Sequence, residues 1–342
     1  MTRNKAVHFT GPRAVEVREI DLGEPGPGDV LVETLASGIS AGTEMNVYRG
    51  LAPQWRKRRD PQTGLFMPSD KPEWSYPTPY GYACVGRVIK GTERLAEGAL
   101  VFTYTPHAQH SIVRADAAFP IGEGTSPEIG VLFSNLNTAL NGVLDARPPI
   151  GSHVVVEGLG VIGQLAVRLL SQSGMASVIA VDTIAARRDL AVAGGATHAL
   201  DPAAGPVAEA VRAIAPAGAD IVLEVSGEPA ALNEAIRIVG RNGLVVALSW
   251  YGNDLSAVNL AGEFHHNRVQ IRSSQVGSLD PALGPLWTLE RRMALARDYL
   301  LTLDLAPLIS HRIPVEQAAE TYAMLDNAPQ DAMQVVFTYG GT

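Results

Sequence analysis

The sequence predicts an α/β protein in two parts, an irregular β-rich region and a doubly wound parallel sheet. Residues 1 to about 120 carry short strand-like runs, such as Val30-Leu31-Val32-Glu33-Thr34 and Ala83-Cys84-Val85-Gly86-Arg87-Val88-Ile89, punctuated by glycine and proline. That is the pattern of short strands joined by turns. From about residue 127, strands alternate with helical patterns, which implies crossover helices and parallel pairing. A length of 342 residues, 46% of them hydrophobic, suffices for two separate cores.

The second region opens with a helix over 127–144, ended by Arg147-Pro148-Pro149, because proline cannot continue a helical ladder. Next comes Val154-Val155-Val156-Glu157-Gly158-Leu159-Gly160-Val161-Ile162-Gly163: a β-branched strand, then G-x-G-x-x-G, then a helix whose apolar face carries Leu165, Ala166, Leu169 and Leu170. A second strand, Ser177-Val178-Ile179-Ala180-Val181, ends in Asp182. Strands follow at Ile221-Val222-Leu223-Glu224-Val225 and Gly243-Leu244-Val245-Val246-Ala247-Leu248, then a charged helix over 289–301 and another over 315–325. The last strand, Ala332-Met333-Gln334-Val335-Val336-Phe337, returns to the first region.

The glycine run carries the chemistry. Gly158 permits the tight turn, Gly160 lets backbone approach phosphates, and Gly163 lets helix pack on sheet. The amides of Val161 and Ile162 then open a helix N-terminus, where a dinucleotide pyrophosphate sits. Asp182 lies 19 residues beyond Gly163, near the spacing of the acid that accepts from the adenosine ribose. A carboxylate there repels a 2′-phosphate, so NAD is expected over NADP. Arg187 and Arg188 follow on the next helix, either turned back toward a phosphate or solvated.

Composition excludes several classes. The formal charge of −8, with no long basic tract, argues against nucleic acid and anionic membrane as partners. A single cysteine, Cys84, excludes a disulfide framework and a four-cysteine zinc site. The start, Met1-Thr2-Arg3-Asn4-Lys5, leads into a strand pattern and not an apolar signal, and no run of 18 apolar residues follows. A cytoplasmic location is expected.

Ser37-Gly38-Ile39-Ser40-Ala41-Gly42-Thr43-Glu44 resembles the S-G-I-C-G-T-D segment of the medium-chain dehydrogenase/reductase superfamily, the zinc alcohol dehydrogenase fold. Gly81-Tyr82-Ala83 falls where that superfamily has G-H-E, and Gly218-Ala219-Asp220-Ile221-Val222-Leu223-Glu224-Val225-Ser226-Gly227 resembles its G-x-D-x-V-x-E-x-x-G segment. The G-I-S-x-G-T-E and G-Y-x-x-V-G-R-V forms look most like bacteriochlorophyllide dehydrogenase relatives. The resemblance implies a GroES-like β-rich catalytic domain over 1–126 and 286–342, and a Rossmann NAD(P)-binding domain over 127–285. It further implies Thr138 on the helix facing the nicotinamide, with Ser226, Gly227 and Ser249 at strand ends on the carboxyl edge where such sheets bind ligands. Asn137 and Asn141 either donate to substrate or cap local backbone. A homodimer through an edge strand Val269-Gln270-Ile271-Arg272-Ser273 is the family's habit, and Ser273-Ser274-Gln275 fits pairing at such an edge.

The places of the family's zinc ligands carry Ser40, Tyr82 and Ser134. Three hydroxyls make a poor zinc site, so no catalytic zinc is expected. Proton chemistry would then fall to Tyr82 and Thr43. Ser40 reads as a packing residue. Among histidines, His107 is favoured because Pro106 stiffens its presentation in a loop facing the cleft, with His110, His265 and His266 as bystanders. The proline-rich segment 51–76, with Trp55, Trp74 and the basic run Arg56-Lys57-Arg58-Arg59, is either a lid engaging an anionic substrate group or a solvated insertion. The leading expectation is a zinc-independent, NAD-dependent oxidoreductase interconverting a secondary alcohol and a ketone. The alternatives are an NADPH-dependent enoyl or quinone reductase and a dinucleotide-binding protein without turnover.

Overall fold

The computed structural model describes residues 3–251 and 258–340. The chain divides into two compact units, one of residues 1–133 with 309–342 and the other of residues 134–308.

In the first unit, the main sheet runs Ala118–Pro120, Leu100–Thr103, Cys84–Lys90, Asp29–Ile39, Gln334–Thr338, Ile309–Pro314, and His110–Arg114 also pairs with Asp29–Ile39. A smaller sheet joins Ala14–Asp21, Arg3–Gly11 and Thr78–Pro79. Burial along Asp29–Ile39 alternates at first and becomes continuous over its last four residues. There Gln334–Thr338 lies antiparallel beside it, with Phe337 opposite Ser37 and Val335 opposite Ile39. The returning strand therefore completes the sheet, as the sequence expects. The core behind it gathers Phe9, Met45, Tyr48, Tyr322 and Phe337.

The second unit is built on a six-stranded parallel sheet in the order His198–Leu200, Ser177–Val181, His153–Glu157, Ala219–Glu224, Val239–Ala247, Gln270–Ser273. The order reverses between His153–Glu157 and Ala219–Glu224, and ligands of doubly wound sheets bind at the carboxyl ends beside such a reversal. Ser177–Val181 is buried at every position, which explains its unbroken apolar run. Helices Val161–Ser171, Ala185–Ala193, Val207–Ile214 and Pro229–Ile238 supply crossovers.

Three expectations change. The helix expected over 127–144 is two, Pro127–Gly130 and Phe133–Ala146. Residues 127–133 belong to the first unit, where Phe133 packs on Phe102 and Gly130 sits against Val85 and Ile121. Residues 286–308 belong to the second unit, because Arg292 on helix Leu289–Thr302 is buried and donates to Asn137 Oδ1 (3.4 Å), Asn141 Oδ1 (2.5 Å) and the Val276 carbonyl (2.8 Å). Asn137 and Asn141 are thus part of an internal network. Asn141 Nδ2 completes it by donating to Asp145 Oδ2 at 2.9 Å and Ser274 Oγ at 3.1 Å.

The segment 51–76 carries local structure of its own. It contains a 3-10 turn, Pro53–Trp55, and a hairpin of Lys57–Arg59 with Phe66–Pro68, exposed at all six positions. No described helix is long and apolar enough to cross a membrane.

Replacing Arg292 by Met should strand three acceptors, two of them buried. The expected loss is about 3 kcal/mol, read as a lowered urea midpoint.

Candidate functional site

The glycine turn of the second unit has the geometry a dinucleotide needs. Gly158 has φ +90°, and a side-chain carbon there would lie 2.5 Å from the Ser226 amide nitrogen. At Gly163 such a carbon would lie 2.0 Å from the Gly158 carbonyl oxygen, so only glycine lets the helix come so close to the turn. Gly160 caps helix Val161–Ser171, and an added carbon there meets nothing within 4 Å. That space lies at the helix N-terminus, where the first-turn amides, including those of half-buried Val161 and Ile162, lack intrahelical partners. A pyrophosphate fits there by charge and by room.

Asp182 ends its strand beside this turn. Its Oδ2 accepts the Leu159 amide at 2.7 Å and its Oδ1 accepts the Ile184 amide at 2.8 Å, leaving further lone pairs for a ribose hydroxyl. Arg188 is committed elsewhere, to the Asp182 carbonyl (2.7 Å) and to Asp201 (2.9 Å). Arg187 is half-buried, and its carbonyl accepts from Gln164 Nε2 at 2.8 Å.

Ser226, Gly227 and Ser249 gather around Glu224. Its Oε1 accepts from the Ser226 amide (2.7 Å), the Ser226 hydroxyl (2.5 Å) and the Gly227 amide (3.2 Å), and its Oε2 from the Tyr251 hydroxyl. Ser249 Oγ lies 3.5 Å from the Glu224 carbonyl oxygen. Thr138 is half-buried, and its hydroxyl donates to the Ser134 carbonyl one turn earlier at 3.1 Å. The sequence reading had no role for Glu157, which pairs with Glu224 in register on the adjacent strand and is buried, with Oε2 unpartnered. Burial, then the nearby charges of Glu224 and Glu234, hold its carboxyl well above the usual carboxylate range. Four donors thus converge on Glu224, while its buried neighbour Glu157 tends to keep its proton. A charged residue closing a β-branched strand was the available signal.

In the first unit the structure brings three hydroxyls together. The Tyr82 phenol, whose pKa is pushed up to about 12 by burial and then by the charge of Glu44, lies near enough to the Ser40 and Thr43 hydroxyls for them to oppose that rise. Ser40 is therefore a partner of Tyr82, beyond the packing role expected of it. Behind them Glu44 is fully buried. Its Oε1 accepts the Ser40 amide (2.9 Å), and its Oε2 accepts from His107 Nε2 (3.0 Å) and the Tyr322 hydroxyl (2.5 Å).

His107 does not face a cleft. It is fully buried, and its Nδ1 lies 2.7 Å from Ser37 Oγ. Burial alone would lower its pKa, but the Glu44 carboxylate, with contributions from Cys84, outweighs that and pushes it up to about 10. A histidine enclosed as a cation on a carboxylate is a structural element, which removes the acid–base role expected of it. His110 pairs within a strand, and its amide donates to Asn4 Oδ1 at 2.8 Å. His265 and His266 stand edge to face on the short helix Glu263–His266. Among the described residues no group of three His, Cys, Asp or Glu side chains is arranged to hold a metal ion.

Residues 161–288 match the family described as zinc-binding dehydrogenase. D-guloside 3-dehydrogenase of Escherichia coli K12 is 27% identical to this chain, covering 98% of it and 100% of the relative. The 2-desacetyl-2-hydroxyethyl bacteriochlorophyllide A dehydrogenase of Rhodobacter capsulatus is 26% identical, covering 98% of each. The matching family and these full-length relatives support the medium-chain dehydrogenase/reductase superfamily for this chain. It is an oxidoreductase of that type and uses a nicotinamide cofactor. Its α/β fold matches a zinc-binding dehydrogenase of Sinorhizobium meliloti 1021 bound to NADP, with a TM-score of 0.81 at 23% identity over 99% of this chain and 100% of that one. An E. coli CFT073 alcohol dehydrogenase complexed with NADH aligns with a TM-score of 0.79 at 17% identity, over 99% and 100%.

Glu157 yields a pH-dependent expectation. Its folded pKa is raised, so above about pH 4.5 the unfolded chain releases a proton that the folded chain keeps, and stability falls as pH rises toward the folded pKa. Glu157→Gln cannot ionise. Its melting temperature should exceed the parent's by a margin that widens from about pH 5 to about pH 8; a constant margin would refute the assignment.

Proposed function

We propose that this protein is a zinc-independent, NAD-dependent dehydrogenase that interconverts a secondary alcohol and a ketone. The observation that carries the reading is the hydroxyl group of Tyr82, flanked by Ser40 and Thr43, at the places where the resemblance puts metal ligands and a relay hydroxyl. Such alcohol-like oxygens are a poor zinc donor set. The names of the two relatives, dehydrogenases of a guloside and of a hydroxyethyl bacteriochlorophyllide, support a hydroxyl-bearing substrate.

NAD, when bound, accepts or returns the hydride. Gly158, Gly160, Val161, Ile162 and Gly163 would seat its pyrophosphate, and Asp182 its adenosine ribose, with Arg187 beside that half. Thr138, Ser226, Gly227 and Ser249 would border its nicotinamide half. Tyr82, with a pKa of about 12, stays protonated near neutrality and donates to the substrate oxygen. In ketone reduction it gives up its proton, and the nearby Ser40 and Thr43 hydroxyls, which favour the ionised phenol, stabilise the phenolate left behind. Alcohol oxidation runs the same route in reverse. The parallel edge strand Gln270–Ser273, with Ile271 39% exposed, supports a homodimer formed by edge pairing. A cytoplasmic setting belongs to this reading, and the acidic balance supports one without nucleic acid or anionic membrane partners.

Purified protein should carry no stoichiometric zinc by elemental analysis, and should oxidise NADH with ketones in preference to NADPH with enones. Stoichiometric zinc would overturn the hydroxyl mechanism, and enone turnover alone would shift the reading to a double-bond reductase. Tyr82→Phe should lower kcat about 10²–10³-fold, the usual effect of losing one transition-state donor, while leaving NADH affinity intact. Asp182→Ala should raise KM for NAD about tenfold, as expected for loss of a hydrogen bond to a charged group, and narrow the preference over NADP.

A further inference from the structure

Residues 51–80 of the first unit contain side chains that the reaction leaves without a role. The Gln54 carbonyl accepts the Trp74 amide at 3.2 Å, pinning the two arms of the excursion together. Trp55 stacks on Tyr76 with ring centres 4.0 Å apart and meets Trp74 at 5.4 Å, and Trp74 meets Tyr80 at 5.5 Å. Tyr80 in turn stacks on Phe9 at 5.6 Å, in the cluster that holds Met45 and Tyr48, and stands two residues before Tyr82, so the aromatic row leads to the hydroxyl site. Within it, Gln54 Oε1, Trp55 Nε1 and the Tyr76 hydroxyl are shielded from solvent and have no hydrogen-bond partner. Buried polar atoms are ordinarily paired, and three in one short segment point to a partner that arrives from outside.

The set comprises an acceptor, a donor and a group that is both. An anion would satisfy the donors and be repelled by the amide oxygen. Hydroxyl groups on a ring both give and take, and the C–H faces of that ring lie well against aromatic surfaces. The basic run is placed differently: Lys57, Arg58 and Arg59 are exposed on the hairpin.

We propose that residues 51–80 form a recognition element for a neutral hydroxylated ring, a pyranoside-like substrate presented to Tyr82, with Trp55 and Tyr76 parting to admit it. This names a substrate class for the site above and rests on the secondary-alcohol reading. The fluorescence of Trp55 and Trp74, with Trp55→Phe to attribute the signal, is titrated with methyl glycosides, a sugar phosphate and butan-2-ol, each with NAD present. A saturable change with the neutral glycosides is expected. In Tyr76→Phe and Gln54→Leu the ratio of kcat/KM for glycoside to that for butan-2-ol should fall about tenfold each, the effect of one lost hydrogen bond. An unchanged ratio in both variants, or saturation by the sugar phosphate alone, would overturn the proposal. Glycoside binding without turnover of any alcohol would leave the recognition element standing and remove the reaction instead.

Discussion

A carboxylate with no exposed surface has to be answered by its neighbours, and the first unit is organised around answering Glu44. An ionised group taken out of water is tolerated only when its oxygens are filled with donors. Here they come from three directions: the Ser40 amide of the turn into the helix Thr43–Tyr48, the imidazolium of His107 on a loop, and the phenol of Tyr322 on the helix Ala318–Asn327. Ser40 and Thr43 lie within the four residues before that carboxylate, so holding Glu44 also fixes the two hydroxyls near Tyr82. Burial, and after it the same charge, pushes the Tyr82 pKa up to about 12, so the phenol stays protonated near neutrality.

The second unit meets an acidic burial with the opposite solution. Glu157 and Glu224 lie side by side on neighbouring strands, and no cation joins the donors on Glu224. One carboxylate takes the amides and hydroxyls at the strand end, and the other stays neutral. The loop of Ser226 and Gly227 is thereby bound to the strand that precedes it. Because a side-chain carbon on Gly158 would strike Ser226, the phosphate turn rests directly on that loop, and the two halves of a dinucleotide would meet a surface set by one carboxylate.

Much of this was legible in the sequence. The β-branched strand before Gly158, the acid at residue 182 and the alternation of strands with helices follow from local periodicity and turn chemistry, which act over a few residues. The clustering of Tyr82 and Thr43 came from motif resemblance and was not derivable from spacing. What stayed hidden depends on distant partners. Arg292 reads as an ordinary charge on an amphipathic helix, yet its bonds to Asn137 and Asn141 span 155 and 151 residues. They transfer both asparagines from the ligand-facing set to the interior. His107 misled for the same reason: a proline-flanked loop histidine looks presentable until Glu44, 63 residues away, is seen to enclose it.

The return of Gln334–Thr338 to the sheet of the first unit bears on the order in which the protein is made. On the ribosome, Glu44 emerges early, but the Tyr322 hydroxyl that completes its environment lies 278 residues later. The parallel sheet of residues 134–308 has all its strands available before that point. Synthesis thus delivers every strand of the second unit while the first still lacks its last strands and one of the donors to Glu44. The interval between them is when the chain most needs protection from association with its neighbours.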